Sequence, residues 1–235
     1  MKIMAISAHP DDIEINCAGT LAKYRKQGHD VVMCNCCNGN AGHFVIGPEE
    51  LARIRNAEAA RSAAVLDAEH ITLNYGDMSL YHQSKEARDK LTDVLRAVKP
   101  DVIITHTPDD YMSDHVAVAH LVFDATFSAS LPHYRTAKGE GFADLCPIFY
   151  MDNLGGFHFE PTEYVDITDT FPVKMKMLAC HESQMKWMKE HDKIDFEETV
   201  RTFARMRGLQ SGVRYAEAFR PMLGWSRVKT YRILP

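Results

Sequence analysis

A chain of 235 residues, 46% hydrophobic and 25% charged, is long enough to bury a full core without disulfide or metal staples, and one sizeable domain over 1–235 is the expectation. The net charge of -5 argues against nucleic acid or an anionic membrane surface as a partner. The apolar run in "MKIMAISAHPDD" is too short for a signal peptide and no stretch would span a bilayer, so a cytoplasmic protein is expected.

In chain order, "KIMAISA" reads as a short buried strand and "GTLAKYRKQG" as a helix closed by Gly28. "HDVVMCNCC" is a second strand. A loop, "NGNAGHFVIG", leads to Pro48 and the helix "EELARIRNAEAARSAAVLDA", with Leu51, Ile54, Ala57 and Val65 near helical spacing. "HITLNY" is a third strand, and "SKEARDKLTDVLRAVKP" an amphipathic helix with Leu91, Val94, Leu95 and Val98 on one face. "DVIITH" is a fourth strand. Apolar strands alternating with helices predict an α/β fold: a Rossmann-like, doubly wound, mainly parallel sheet covered by helices on both faces. The second half is less regular. "HVAVAHLVFDATFSAS", "FPVKMKMLACHESQMKWM" and "FEETVRTFARMRG" read as helices, and "CPIFYMDN" and "EYVDITD" as strands. Met175, Met177 and Met185 read as packing residues. The six cysteines, three of them in "MCNCCNGN", read as small buried residues with reduced thiols.

Ligands of a doubly wound sheet bind outside the carboxyl ends of its strands, where strand order reverses. The loops after strands one and four, "AHPDDIE" and "THTPDDYMSDH", carry His9, Asp11, Asp12, Glu14, His106, Asp109, Asp110, Asp114 and His115. Carboxylates packed this closely repel unless a cation neutralises them. Two histidines and one carboxylate with open positions form the ligand pattern of hydrolytic zinc. His9, Asp12 and His115 are the candidate ligands, and Asp11, beside a ligand but free of the metal, is the candidate general base. A solvated turn with an aspartate capping the helix near Ile15 is the competing reading.

At these residues the chain resembles the PIG-L/LmbE-like family of zinc-dependent N-acetyl-amino-sugar deacetylases. "AHPDDIE" matches the signature Ala-His-Pro-Asp-Asp-x-Glu, and "HTPDDYMSDH" approximates His-x-Pro-x-Asp-Tyr-His-x-Asp-His. Weaker echoes are "RNAE" at Arg55–Glu58, "ACHESQ" at Ala179–Gln184 and "RYAEAFR" at Arg214–Arg220. The resemblance implies zinc on His9, Asp12 and His115, with Fe2+ as an alternative ion, and Asp11 as the base. It implies Arg55 in the substrate pocket, a small amino-sugar substrate and a homo-oligomer. One position departs from the pattern: the family's oxyanion-holding histidine is replaced by Met112, which cannot donate a hydrogen bond. Loss of one such donor costs on the order of a hundredfold in rate. Tyr111 and His106 are the nearest replacements in sequence, and Met112 itself reads as a pocket wall against an apolar part of the substrate.

Among the supporting residues, Asp110 is expected to contact sugar hydroxyls, Asp114 to orient His106 or a ligand, and Glu14 to support a ligand or pair with a helix dipole. The same metal site acting on a non-sugar amide is an open alternative. A non-haem iron oxygenase also uses two histidines and a carboxylate, but with His-x-Asp spacing on a β-barrel. A phospho-receiver would need an acceptor at the end of strand three and a lysine after strand five. Only Asp77 is near the first position, and no lysine follows "CPIFYMDN".

Overall fold

The structure, a computed structural model, describes residues 1–235. Five parallel strands form the body of one sheet: β1 (Lys2–Ser7), β2 (Asp30–Cys37), β3 (Glu69–Tyr75), β4 (Val102–Thr105) and β5 (Ile148–Met151). β6 (Glu163–Asp166) and β7 (Ala216–Pro221) complete it, in the order β3-β2-β1-β4-β5-β7-β6, with β7 antiparallel to both its neighbours. The helices are α1 (Asp12–Asn16), α2 (Ala18–Lys26), α3 (Pro48–Val65), α4 (Lys85–Val98), α5 (Ser113–Ala129), α6 (Phe171–Leu178), α7 (Glu182–Glu190) and α8 (Phe196–Ser211). None is long and apolar enough to cross a membrane.

β1 shows why continuous apolar strands fit this sheet. Its alternate residues enter different cores, Ile3 and Ala5 on one face and Met4 and Ile6 on the other. The two cores are nearly equal, with 24 and 22 buried residues, so both faces are covered as a parallel sheet requires. Strand order reverses between β1 and β4, and the loops that follow these two strands meet there.

Three local expectations change. The long helix expected over 171–188 is two, α6 and α7, parted at Ala179–His181. The break carries no glycine or proline. It arises from Glu58, whose carboxylate accepts from the Ser183 amide (2.8 Å) and hydroxyl (2.6 Å) and so caps α7 from another element. The inner face of α3 is not the expected apolar one: Ala57 is exposed, and Arg55, Glu58 and Ser62 are buried beside Leu51. β7 was not expected as a strand. Its Glu217 turns inward, accepts from the amides of Gly19 (3.0 Å) and Thr20 (2.7 Å) at the start of α2, and pairs with buried Lys174 (2.5 Å).

Candidate metal centre

The helix after β1 begins at Asp12, earlier than expected. Asp11 stands at its N-cap with φ 107°, and its side chain caps nothing. An L-residue held at positive φ stores on the order of 1–3 kcal/mol of strain. The twist sends the neighbouring carboxylates to different partners. Asp11 Oδ2 meets Arg55 at 3.1 Å, while Asp12 faces the histidines of the β4 loop.

His9, Asp12 and His115 each offer a ligand atom, all within 4.8 Å of one another. The His9 Nε2 is held by Asp114 at 3.0 Å, leaving Nδ1 toward Asp12 at 3.6 Å. His115 is held the opposite way: its Nδ1 meets Asp110 at 3.1 Å, and its buried Nε2, 3.3 Å from Asp12 Oδ1, has no hydrogen-bond partner. Each imidazole is thus oriented through one nitrogen by a carboxylate and presents the other, the arrangement that supports metal-binding histidines.

Charges follow this geometry. Burial disfavours a charged imidazole, but the hydrogen bond to Asp114 and the nearby Asp12 carboxylate overcome it and push His9 up to about 10. Burial likewise opposes charge on His115, and Asp12 and Asp110 push it up to about 9. Asp12, although buried, is held well below the usual carboxylate range, chiefly by the neighbouring His115. Burial raises Asp11 to about 6 against the pull of Arg55. Two histidines stabilised as cations around one carboxylate substitute for the charge that a divalent ion would bring.

The sequence-predicted residues divide into two groups. A cleft of about 260 Å³ is lined by His9, Asp11, Asp12, Arg55, Tyr111, Met112 and His115. Arg55 lies under its floor, donating to the carbonyls of Pro10 and, at 3.3 Å, Gly39. Gly39 has φ +73°, and a Cβ there would fall 2.5 Å from the guanidinium. The other group sits behind this surface. His106 is fully buried, and its Nε2 accepts from the Ala8 amide at 3.0 Å beside Asp12. Burial and the neighbouring His115 push it down to about 4. His106 therefore cannot reach a substrate oxyanion, which corrects that expectation. Asp110 is also corrected: its carboxylate is occupied by His115 and the Met112 amide and does not line the cleft. Asp114 orients His9 and not His106, and also accepts from the Met78 amide. Glu14 is buried between Ser62 and His181, whose Nε2 lies 3.2 Å away, so dipole pairing does not explain it.

Sequence reasoning missed Asp77, Glu58, Gln184 and Trp187. Asp77 follows β3, as the strand-end rule would suggest, and accepts from the amides of Gly39 and Ala41. Gln184 and Trp187 bring α7 to the cleft. The Glu58–Ser183 link joins the two weak motif echoes, "RNAE" and "ACHESQ", into one structural unit.

The family model for GlcNAc-PI de-N-acetylase (PIG-L) matches residues 4–126, a span that holds both site loops. The diacetylchitobiose deacetylase of Thermococcus kodakarensis is 32% identical over 229 residues, covering 93% of this chain and 82% of that one. The structure of N,N'-diacetylchitobiose deacetylase from Pyrococcus horikoshii, complexed with its inhibitor, matches with a TM-score of 0.80 at 29% identity, over 94% of this chain and 83% of that one. That of the 4-carboxy-2-hydroxymuconate hydratase from Pseudomonas putida matches with a TM-score of 0.82 at 21% identity over 99% of both chains, a likeness of fold. With both signature loops inside the matched span and near-full-length similarity to a deacetylase, this chain belongs to the PIG-L family.

Proposed function

We propose that this protein is a zinc-dependent hydrolase that removes the acetyl group from an N-acetylated amino sugar or its glycoside, giving acetate and the free amine. One observation carries the reading: two imidazoles and a carboxylate converge at the floor of a cleft, beside a buried aspartate outside the convergence. The donors fit such an ion, because His115 Nε2 is an orphaned buried nitrogen and both rings are pre-oriented by carboxylates. Two nitrogens and an oxygen suit zinc, and Fe2+ accepts the same set. His9, Asp12 and His115 would hold the ion, which would supply a Lewis acid for the amide carbonyl and lower the pKa of the attacking water.

The remaining chemistry belongs to side chains. Asp11, raised by burial to about 6, is poised to accept a proton near neutral pH. Arg55 fixes its Oδ2, so Oδ1 takes the proton from water and returns it to the amine nitrogen as the C–N bond breaks. Tyr111, half exposed on the cleft wall, is the hydroxyl donor available where the family pattern has a histidine. Met112 beside it gives the substrate an apolar wall.

The test is metal content and acetate release, wild type beside Asp11→Asn, on a panel of N-acetylglucosaminides. The expected result is about one metal per chain in both proteins, with turnover lower by roughly 10²–10⁴ in the variant. Full activity in the variant removes Asp11 from the mechanism. A metal-loaded wild type that releases no acetate from any sugar refutes the substrate class.

A further inference from the structure

A second convergence of donor atoms lies beside His9, on the Nε2 side of its ring. Cys37 ends β2, and its amide donates to the Ala8 carbonyl at 2.8 Å, which fixes it next to the His9 loop. The β2–β3 register shifts between Asn35 and Cys37, an irregularity typical of strands that aim a side chain at a site. The Cys37 sulfur, a ring nitrogen of His9 and a carboxylate oxygen of Asp114 lie within 4.8 Å of one another, and all three residues are buried. Asp77 adds an oxygen 4.0 Å from His9 Nε2. The Cys37 side chain is fully buried and takes no part in the hydrogen bonds of His9, Asp77 or Asp114. The proposed hydrolysis gives the thiol nothing to do.

We propose that Cys37, His9 and Asp114, with Asp77 in reach, form a second site for a thiophilic divalent ion, and that filling it inhibits the first. One sulfur, one nitrogen and one oxygen, with a second oxygen in reach of the nitrogen, make a donor set suited to zinc or cadmium, and the sulfur selects against magnesium and calcium. An ion enters through the cleft, which His9 and Asp77 both line. On binding, the thiol releases its proton to solvent and a sulfur–metal bond forms. The Nε2 proton now shared with Asp114 is also released, so the carboxylate lets go of the ring. The two sites share one imidazole and therefore do not fill independently: the second ion removes the hydrogen bond that orients His9 for the first. The inference takes from the proposed function only that His9 presents Nδ1 to the first ion.

The experiment is a Co2+ titration of the metal-stripped protein, followed by the near-ultraviolet thiolate-to-cobalt charge-transfer band, on wild type and Cys37→Ser. Circular dichroism checks the fold, and Cys37→Ala serves as a second variant. Wild type is expected to take up one ion without the band and a second, weaker ion with it. The variants are expected to bind one ion, show no band and resist zinc concentrations that lower wild-type turnover tenfold. Absence of the band at saturating cobalt, the same band in Cys37→Ser, or equal zinc inhibition of variant and wild type overturns the proposal. Failure of the first site has a separate signature: the band persists and the bandless equivalent is missing, which supports the thiol site while refuting the catalytic one.

Discussion

Asp110→Asn is the sharpest probe of how the proposed metal centre is held. Both carboxylate oxygens of Asp110 are acceptors, Oδ2 for His115 Nδ1 at 3.1 Å and Oδ1 for the Met112 amide at 3.0 Å. An asparagine has one acceptor oxygen and one donor nitrogen. If it keeps the Met112 bond, its NH2 faces His115 Nδ1 and drives the ring proton to Nε2, the atom that must be bare to bind an ion. If it turns over, its NH2 opposes the Met112 N–H. Neither orientation serves both partners. Loss of such a support costs about 10–100-fold in metal affinity, or roughly 1.4–2.8 kcal/mol at 1.4 kcal/mol per decade. Zinc affinity is measured by competition with a chromophoric chelator, with native circular dichroism as the check on folding. Asp109→Asn is the control, since Asp109 pairs with Arg220 at 2.9 Å and touches no candidate ligand. A folded Asp110→Asn protein that binds zinc within twofold of wild type refutes the reasoning.

Glu58→Ala uncaps α7 and leaves the half-buried Ser183 amide unpaired, costing about 0.5–2 kcal/mol; because Gln184 and Trp187 of that helix line the cleft, KM is expected to rise more than kcat falls, and unchanged kinetics would sink the idea. In the metal-free protein, His9 at about 10 and His115 at about 9 both exceed the unfolded value near 6.5, so their stabilisation is full below that pH and is lost as pH rises through 9 to 10. Thermal melts in chelator should therefore fall across this window, and a flat profile contradicts the assignment. For the same reason zinc uptake near neutral pH should release protons, read by calorimetry in buffers of different ionisation enthalpy; observed heats that are the same in every buffer would exclude it. Lys174→Met leaves Glu217 buried without its cation and is expected to cost about 3–5 kcal/mol in chemical denaturation, whereas a loss under 1 kcal/mol would show that the amides of Gly19 and Thr20 suffice.

The parallel half of the fold is legible because its central strands are compact runs that burial on two faces requires, as in β1 and β4. The site loops are legible for the complementary reason: charge bursts into the chain where those runs end. What stays hidden is set by partners distant in sequence. Arg55, Glu58 and Ser62 look like the polar face of α3 and become its inner face because they meet Asp11, Ser183 and Glu14. The break before α7 has no local signal, since its cap comes from Glu58. β7 escapes notice because a glutamate interrupts its pattern, and that glutamate is buried only by virtue of the α2 terminus and Lys174. Asp110 and Tyr111 are adjacent in sequence yet one serves His115 and the other the cleft, a distinction that only the turn into α5 creates.

The place of β7 bears on how the molecule is made. This strand, the last in the chain, lies between β5 and β6, and β6 has no other partner in the sheet. During synthesis β6 must wait, unpaired, for about fifty later residues to emerge. When β7 inserts, Glu217 reaches the amides at the head of α2, directly after the α1 turn that carries Asp12. A nascent chain can thus assemble its parallel half early, yet the base beneath the His9–Asp12 loop is locked only after β7 has been added.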